Sequence, residues 1–181
     1  LLICDEIQCG MGRTGILFEH LYAADLRPDI MTLAKALGCG MPIGATLVGP
    51  RLAHVLQPGM HGSTYGGNPV MAAVAHQALK KIRSPSLLMN VVMRSHQAFK
   101  RLHAINESLG LFAEIRGRGL MIGAELVAAY RGQGPALSEI ARRFGVLVLV
   151  AGPDVLRFVP PLNITEEAMD LGMDRLAAAL H

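Results

Sequence analysis

The sequence has few aromatic residues and little charge, and it has no concentration of charge of one sign. Aromatic residues make up 4% of the 181 residues, tryptophan is absent, and charged residues make up 17%. The 17 basic and 14 acidic residues are scattered, with no basic run longer than Arg142–Arg143. Nucleic-acid binding requires a concentrated basic face and aromatic side chains for stacking, so this composition excludes that class of partner.

Long apolar runs and a paired set of cysteines are also lacking. No stretch approaches the roughly 20 apolar residues of a membrane span, so we expect no membrane partner. The three cysteines, Cys4, Cys9 and Cys39, form an odd set without metal-ligand spacing. They are therefore interpreted as reduced thiols, with no metal site, in a reducing compartment such as the cytoplasm.

Hydrophobic residues make up 51% of the chain, which is typical of a protein with a sizeable core. The sequence opens on the apolar residues Leu1–Cys4 rather than on a methionine. This opening is interpreted as the middle of a buried parallel strand, so we expect the sequence to begin partway through a protein.

Strand and helix signals alternate along the chain and predict an α/β fold. Ile30–Leu33 and Ile43–Val48 are expected strands, residues 17–26 are weakly helical, and Asn68-Pro69 begins a helix. The turn cluster at residues 84–86 separates this helix from another that spans about residues 87–108. Beyond it, strands are predicted at 112–115, 120–126, 146–150 and 155–159, and helices at about 136–144 and 165–180. We therefore divide the chain into residues 1–83, part of an α/β domain, and residues 84–181, a small α+β domain.

Glycines at positions 10, 12 and 15 match the pattern G-x-G-x-x-G that binds dinucleotides. In that fold the first glycine directly follows a strand, and an acidic residue ends the next strand. Here residues 5–8 intervene, and Asp29 precedes its strand. A nicotinamide-dependent oxidoreductase is therefore kept only as a rival interpretation.

Asp5 stands at the carboxyl end of the first predicted strand, where α/β folds place their ligands. A carboxylate there can form an ion pair with a pyridinium nitrogen and keep it protonated. Strand alternation puts Ile7 on the side of Asp5, where it can pack beneath a flat ring, and turns Gln8 the other way. Acidic pairs also end strands in ATPases, so this tetrapeptide alone is weak evidence.

Lys35 follows an apolar strand and precedes a turn rich in glycine. We expect its amine to be enclosed, because desolvation lowers the pKa of a lysine and frees the neutral amine for covalent chemistry. The alternative is an ordinary surface lysine. Further on, residues 61–68 place Ser63 and Thr64 among glycines just before a helix, which suits a phosphate-binding loop.

These elements together carry a family resemblance. D-E-I-Q with G-x-G-R-T-G, T-L-A-K-x-L-G-x-G-x-P-I-G-A and H-G-S-T-Y-G-G-N-P-x-x-A follow one another in this order. In this respect the chain resembles the class III (ornithine-type) aminotransferases of pyridoxal-phosphate (PLP) fold type I, over essentially its full length. Within that class it is most similar to the enzymes that act on N-acetylornithine and succinylornithine.

The resemblance implies a role for individual residues. It implies that Lys35 holds PLP covalently, that Asp5 pairs with the pyridine nitrogen, that Ile7 packs on the ring and that Gln8 lies by the phenolic oxygen. It also implies that Thr64 binds the cofactor phosphate of a neighbouring subunit, and hence a homodimer with shared active sites. It places Ser63 near the acylated substrate, and Arg157 on a substrate carboxylate unless that arginine forms a structural ion pair.

The implied reaction is amino transfer from N2-acetyl-L-ornithine to 2-oxoglutarate, in arginine metabolism. Enzymes of this family are about twice as long, so we expect the 181-residue chain alone to be incomplete. Succinylornithine, ornithine or 4-aminobutyrate as the amino donor, and an inactive fragment of such an enzyme, remain open alternatives.

Overall fold

The structure is a computed structural model that describes residues 1–181 and divides into two compact units, Leu1–Leu88 and Met89–His181. The first unit is built on a three-stranded sheet, with β1 at Ile3–Asp5, β2 at Ile30–Leu33 and β3 at Ala45–Val48. β1 and β2 are parallel, whereas β3 runs antiparallel to β2. The carboxyl ends of β1 and β2 therefore meet at one edge of the sheet.

The first strand is shorter and more exposed than its apolar sequence predicts. Ile3 is 60% exposed, so the expectation of a buried strand at the start of the chain is wrong for this chain. β1 is an edge strand that pairs only with β2, and its neighbour alone cannot cover it. β2 is better covered, because Met31 and Leu33 are buried on one of its faces.

The segment between β1 and β2 contains a loop where a helix was expected. Of residues 17–26, only Glu19–Tyr22 forms a single 3-10 turn. Two further 3-10 turns, Lys35–Leu37 and Pro50–Leu52, follow β2 and β3. Gly38 closes the first of these, and a Cβ atom there would lie 2.1 Å from the carbonyl oxygen of Met41.

Two helices follow the first sheet. α1, Pro69–Ile82, begins as predicted, since Asn68 Oδ1 accepts hydrogen bonds from the N–H groups of Val70 at 3.0 Å and Met71 at 3.2 Å. α2 covers Pro85–Leu109, and most of it belongs to the second unit. None of the helices combines the length and apolar composition that crossing a membrane requires.

The second unit is an antiparallel sheet covered by helices. Its strands are β4 (Phe112–Arg118), β5 (Met121–Leu126), β6 (Leu149–Ala151) and β7 (Val155–Phe158), in the order β4-β5-β7-β6. Its helices, besides α2, are α3 (Gly134–Arg143) and α4 (Glu166–Leu180). The predicted α+β content of residues 84–181 is confirmed, although β6 is shorter and begins later than expected. The assignment of residues 1–83 and 84–181 to separate domains of a larger enzyme stays a prediction.

The core of the second unit lies between α2, α4 and one face of the sheet. Leu102 of α2, Leu120 in the β4–β5 turn and Leu156 of β7 have no exposed surface, and Leu176 of α4 is 1% exposed. Such residues touch neighbours on every side, so the loss of their volume leaves a cavity.

We predict that Leu102→Ala in the full-length protein lowers the free energy of unfolding by about 2–5 kcal/mol, because it removes buried contacts and leaves a cavity. Met89→Ala on the same helix is the matched control, since Met89 is 61% exposed. Urea unfolding followed by circular dichroism measures both. Equal losses of stability in the two variants would contradict the assignment of this core.

Candidate active site

The candidate site lies at the edge of the first sheet where β1 and β2 end. Asp5 is the last residue of β1 and pairs in register with Thr32 of β2. Its Oδ1 accepts two hydrogen bonds, from Thr32 Oγ1 at 3.0 Å and from the N–H of Ile7 at 3.0 Å. The carboxylate is otherwise exposed, so these two bonds orient it.

Lys35 lies at the same edge, just beyond the end of β2. Its φ is +46°, in the left-handed region that costs a non-glycine residue about 1 kcal/mol or more. Backbone strain of this kind is concentrated at functional sites. The side chain of Lys35 is exposed, so the expectation that its amine is enclosed is wrong for this chain.

Ile7 and Gln8 follow Asp5 in a turn rather than in a strand. β1 ends at Asp5, and the N–H of Ile7 folds back onto the Asp5 carboxylate. The strand alternation that we used to orient Ile7 and Gln8 therefore does not apply to them. Ile7 is half-buried and Gln8 is exposed. Their contact with a cofactor ring stays a prediction.

Glu6 is the residue of this segment to which we assigned no role from the sequence. It is 2% exposed, and its Oε2 accepts a hydrogen bond from the N–H of Glu19 at 2.9 Å. Its Oε1 accepts one from the N–H of His20 at 2.9 Å and lies 2.9 Å from His20 Nδ1. A carboxylate only accepts hydrogen bonds, so this contact is a hydrogen bond in the tautomer with the proton on Nδ1. Glu6 therefore anchors the loop that follows Asp5. Asp5 and Glu6 together follow the apolar run Leu1–Cys4, so the sequence alone does not show which of them faces inward.

The glycine-rich loop at residues 10–15 packs tightly over Glu6. A Cβ atom on Gly10 would lie 2.6 Å from the carbonyl oxygen of Glu6, so glycine is required at this position. Met11, Gly12 and Gly15 have φ values of +53°, +82° and +92°, and no α-helix follows the loop. A dinucleotide-binding loop leads into a helix whose N-terminus holds the phosphates. This geometry therefore disfavours the nicotinamide-dependent alternative.

Burial shifts the pKa values of ionisable side chains in and near the glycine-rich loop. Burial lowers the pKa of the Arg13 guanidinium. Burial also raises the pKa of the Cys9 thiol, which the negative charges of Glu19, Glu6 and Asp5 raise further. The pKa of the Cys4 thiol is raised in the same way, by burial and by Glu6. Cys4 and Cys9 are thus weak nucleophiles, and Cys39 is the exposed thiol of the three.

Ser63 and Thr64 lie in an exposed loop before α1. Ser63 Oγ accepts a hydrogen bond from the N–H of Gly66 at 3.0 Å, which closes a local turn. The hydroxyl of Thr64 is left exposed at the surface of the first unit. Their predicted contacts with substrate and with cofactor phosphate stay predictions.

Arg157 belongs to the second unit and lies within β7. It pairs with Gly123 of β5 on one side and with Leu149 of β6 on the other, and it is half-buried. Its side chain lines a cavity of about 330 Å³ whose other walls are mainly apolar residues of β7, α4 and the segment before β6. A guanidinium at an apolar wall suits recognition of a carboxylate, and that role stays a prediction.

Comparison with known proteins identifies the class. Residues 1–180 match the class-III aminotransferase family, and the chain belongs to that family. The acetylornithine aminotransferase of Xanthomonas axonopodis pv. citri is 55% identical over 99% of this chain and 44% of its own length. The acetylornithine aminotransferase of Xylella fastidiosa (strain Temecula1) is 54% identical, again over 99% of this chain and 44% of its own length. The chain thus spans less than half the length of these curated relatives.

Solved structures support the same assignment of fold. The N-acetylornithine aminotransferase of Stenotrophomonas maltophilia superimposes with a TM-score of 0.90 at 51% identity, over 99% of this chain and 46% of that chain. An ornithine aminotransferase of Toxoplasma gondii, whose structure is described as having PLP at partial occupancy in its active site, gives a TM-score of 0.90 at 34% identity. That match covers 99% of this chain and 43% of that chain. The predicted PLP fold type I is confirmed.

We predict that Glu6→Gln in the full-length protein lowers the free energy of unfolding by about 1–3 kcal/mol. The amide nitrogen of Gln would replace one carboxylate oxygen and face the N–H of Glu19 or of His20, so that this backbone N–H would lose its acceptor and face another donor. Thermal unfolding of the protein without added cofactor measures the effect. Glu107→Gln is the matched control because Glu107 is exposed on α2. Stability unchanged in Glu6→Gln would contradict the anchoring role.

Proposed function

We propose that the protein containing this chain is a PLP-dependent aminotransferase with N2-acetyl-L-ornithine as its amino donor. It transfers the side-chain amino group to 2-oxoglutarate, giving N-acetyl-L-glutamate 5-semialdehyde and L-glutamate. The observation that carries this proposal is the placement of Asp5 and Lys35 at one edge of the sheet. The 55% identity to the acetylornithine aminotransferase of Xanthomonas axonopodis pv. citri supports this donor.

The side chains at this edge fit the cofactor that class-III aminotransferases use. A primary amine can hold the cofactor aldehyde, and an oriented carboxylate can pair with a pyridinium nitrogen. Lys35 supplies the amine and Asp5 the carboxylate, whose Oδ1 is already held by two hydrogen bonds. Bound PLP supplies an electron sink that stabilises negative charge at the substrate carbon.

In the proposed mechanism, Asp5 keeps the pyridine nitrogen protonated, because a nearby negative charge favours the protonated form. Lys35 would hold the cofactor through its amine, and once substrate is bound that amine would be available as a general base and acid. It would take up the proton that leaves the substrate carbon and return it later in the reaction. Both residues are fixed to neighbouring parallel strands, so their separation is set by the sheet.

The remaining assignments rest on the family resemblance. We propose that Ile7 packs on the cofactor ring, that Gln8 lies by its phenolic oxygen and that Thr64 binds the phosphate held by the neighbouring subunit of a homodimer. Ser63 then lies near the acyl group of the substrate and Arg157 binds a substrate carboxylate. Ser63 and Thr64 are exposed, which is compatible with contacts to a neighbouring subunit. Three cysteines that form no disulfide are compatible with the cytoplasmic, reducing setting of arginine metabolism.

We predict that Lys35→Ala abolishes amino transfer from N-acetylornithine in the full-length enzyme while the protein stays folded, because alanine has no amine to hold the cofactor beside Asp5. Borohydride reduction of the wild-type enzyme with PLP, followed by peptide mapping, should label Lys35. Lys80→Ala, on the exposed side of α1, is the matched control and should retain activity. A label on Lys80, Lys81 or Lys100 instead would contradict the assignment of Lys35 as the lysine that holds PLP.

The same assay separates the possible amino donors. The kcat/KM for N-acetylornithine should exceed the values for succinylornithine, ornithine and 4-aminobutyrate. A higher value for one of those three amines would replace the proposed donor and leave the aminotransferase assignment intact. Absence of transfer from all four would contradict the proposed function.

We predict that Asp5→Asn lowers kcat by at least about a hundredfold, since a neutral amide does not stabilise the protonated ring nitrogen. Retention of PLP should change much less, because other groups hold the phosphate. Steady-state kinetics and a PLP titration by absorbance measure the two quantities. Near-normal turnover in this variant would count decisively against the pyridinium role.

A further inference from the structure

Thr32 forms hydrogen bonds to Asp5 and Glu6, one through its side chain and one through its backbone. It stands opposite Asp5 in the parallel register of β1 and β2. Its Oγ1 donates a hydrogen bond of 3.0 Å to Asp5 Oδ1, and its carbonyl oxygen accepts one of 3.0 Å from the N–H of Glu6. The residue therefore ties β2 to Asp5, which ends β1, and to Glu6, which follows it.

The two hydrogen bonds that Asp5 accepts differ in what they fix. The bond from the N–H of Ile7 comes from two residues further along the same segment, so it moves with the turn that follows β1. The bond from Thr32 spans 27 residues and comes from the strand that continues into Lys35. Because the Asp5 side chain is exposed, no surrounding side chains enclose it. Of the two bonds, only the one from Thr32 fixes the carboxylate relative to the strand that leads into Lys35.

We propose that Thr32 is a positioning residue of the aminotransferase site, whose hydroxyl holds the Asp5 carboxylate in a fixed direction relative to Lys35. The inference rests on the proposed function, in which Asp5 pairs with the pyridine nitrogen of PLP. Hydrogen bonds weaken steeply as their geometry departs from linear. A carboxylate free to rotate therefore pairs with the ring nitrogen for a smaller fraction of the time.

The deciding variant is Thr32→Val in the full-length enzyme with PLP bound. Valine has the same shape as threonine, is also β-branched and favours strands, so it removes the hydroxyl with little disturbance of β2. We expect kcat to fall about tenfold, the effect of losing one hydrogen bond to a charged group, with KM changed less than about twofold. Thr32→Ser keeps the hydroxyl and should recover most of the loss. Thr32→Ala is a second hydroxyl-free variant should valine disturb the strand.

A spectroscopic measurement separates positioning from a purely structural role. The absorbance of bound PLP, recorded against pH, reports the protonation of the lysine–cofactor linkage, which depends on the charge at the ring nitrogen. Its midpoint should move in Thr32→Val and Thr32→Ala and stay at the wild-type value in Thr32→Ser. Thermal unfolding of each variant without PLP should match the wild type.

Thr46→Val is the matched control, because Thr46 is the β3 residue opposite Thr32 and is exposed. It should leave both kcat and the absorbance midpoint at wild-type values. Wild-type kcat and midpoint in Thr32→Val, with Asp5→Asn impaired, would overturn the role of Thr32 and leave the proposed function standing. Wild-type behaviour in both variants would overturn the pyridinium role of Asp5 and the role of Thr32 together. A Thr32→Ser variant as impaired as Thr32→Val would also overturn the role of the hydroxyl.

Discussion

The parallel pairing of β1 with β2 is the constraint on which the candidate site depends. Parallel strands end at the same edge of a sheet, so residues far apart in sequence become neighbours there. Asp5 ends β1, and Lys35 follows the end of β2. The hydrogen bond from Thr32 Oγ1 to Asp5 Oδ1 joins the two strands at this point. Without that register, the distance between the Asp5 carboxylate and Lys35 would not be set by the sheet.

A buried carboxylate beside the site performs a different task from the exposed one. Asp5 faces outward and is available to a ligand, whereas Glu6 faces inward and accepts hydrogen bonds from the segment around His20. This inward anchor lets a glycine-rich loop without regular helix or strand keep a defined path. Gly10 belongs to the same arrangement, since any side chain there would collide with Glu6. These separate roles explain why one acid, Asp5, ends β1 and a second, Glu6, follows it directly.

The two units differ in how far their own residues cover them. The second unit has a core of fully buried leucines from α2, β5, β7 and their turns, and its sheet is covered by helices. The first unit leaves Leu1, Leu2, Ile3 and Leu47 exposed around its sheet. That difference agrees with a chain that spans 44% of the length of an acetylornithine aminotransferase of the same family.

Local sequence determined the family of this protein and most of its elements, although not the loop at residues 17–26. Asn68 before Pro69 predicts the start of a helix and the run Ile30–Leu33 predicts a strand, because these signals act within a few residues. The motifs around Asp5, Lys35 and Thr64 predict the class-III aminotransferase family. What local patterns could not supply was the direction of each side chain. The turn at Ile7, the inward carboxylate of Glu6, the exposed Lys35 amine and the bond from Thr32 to Asp5 all depend on contacts between segments distant in the chain. Only the tertiary structure decided them, since strand register and burial are set by the whole sheet rather than by neighbouring residues.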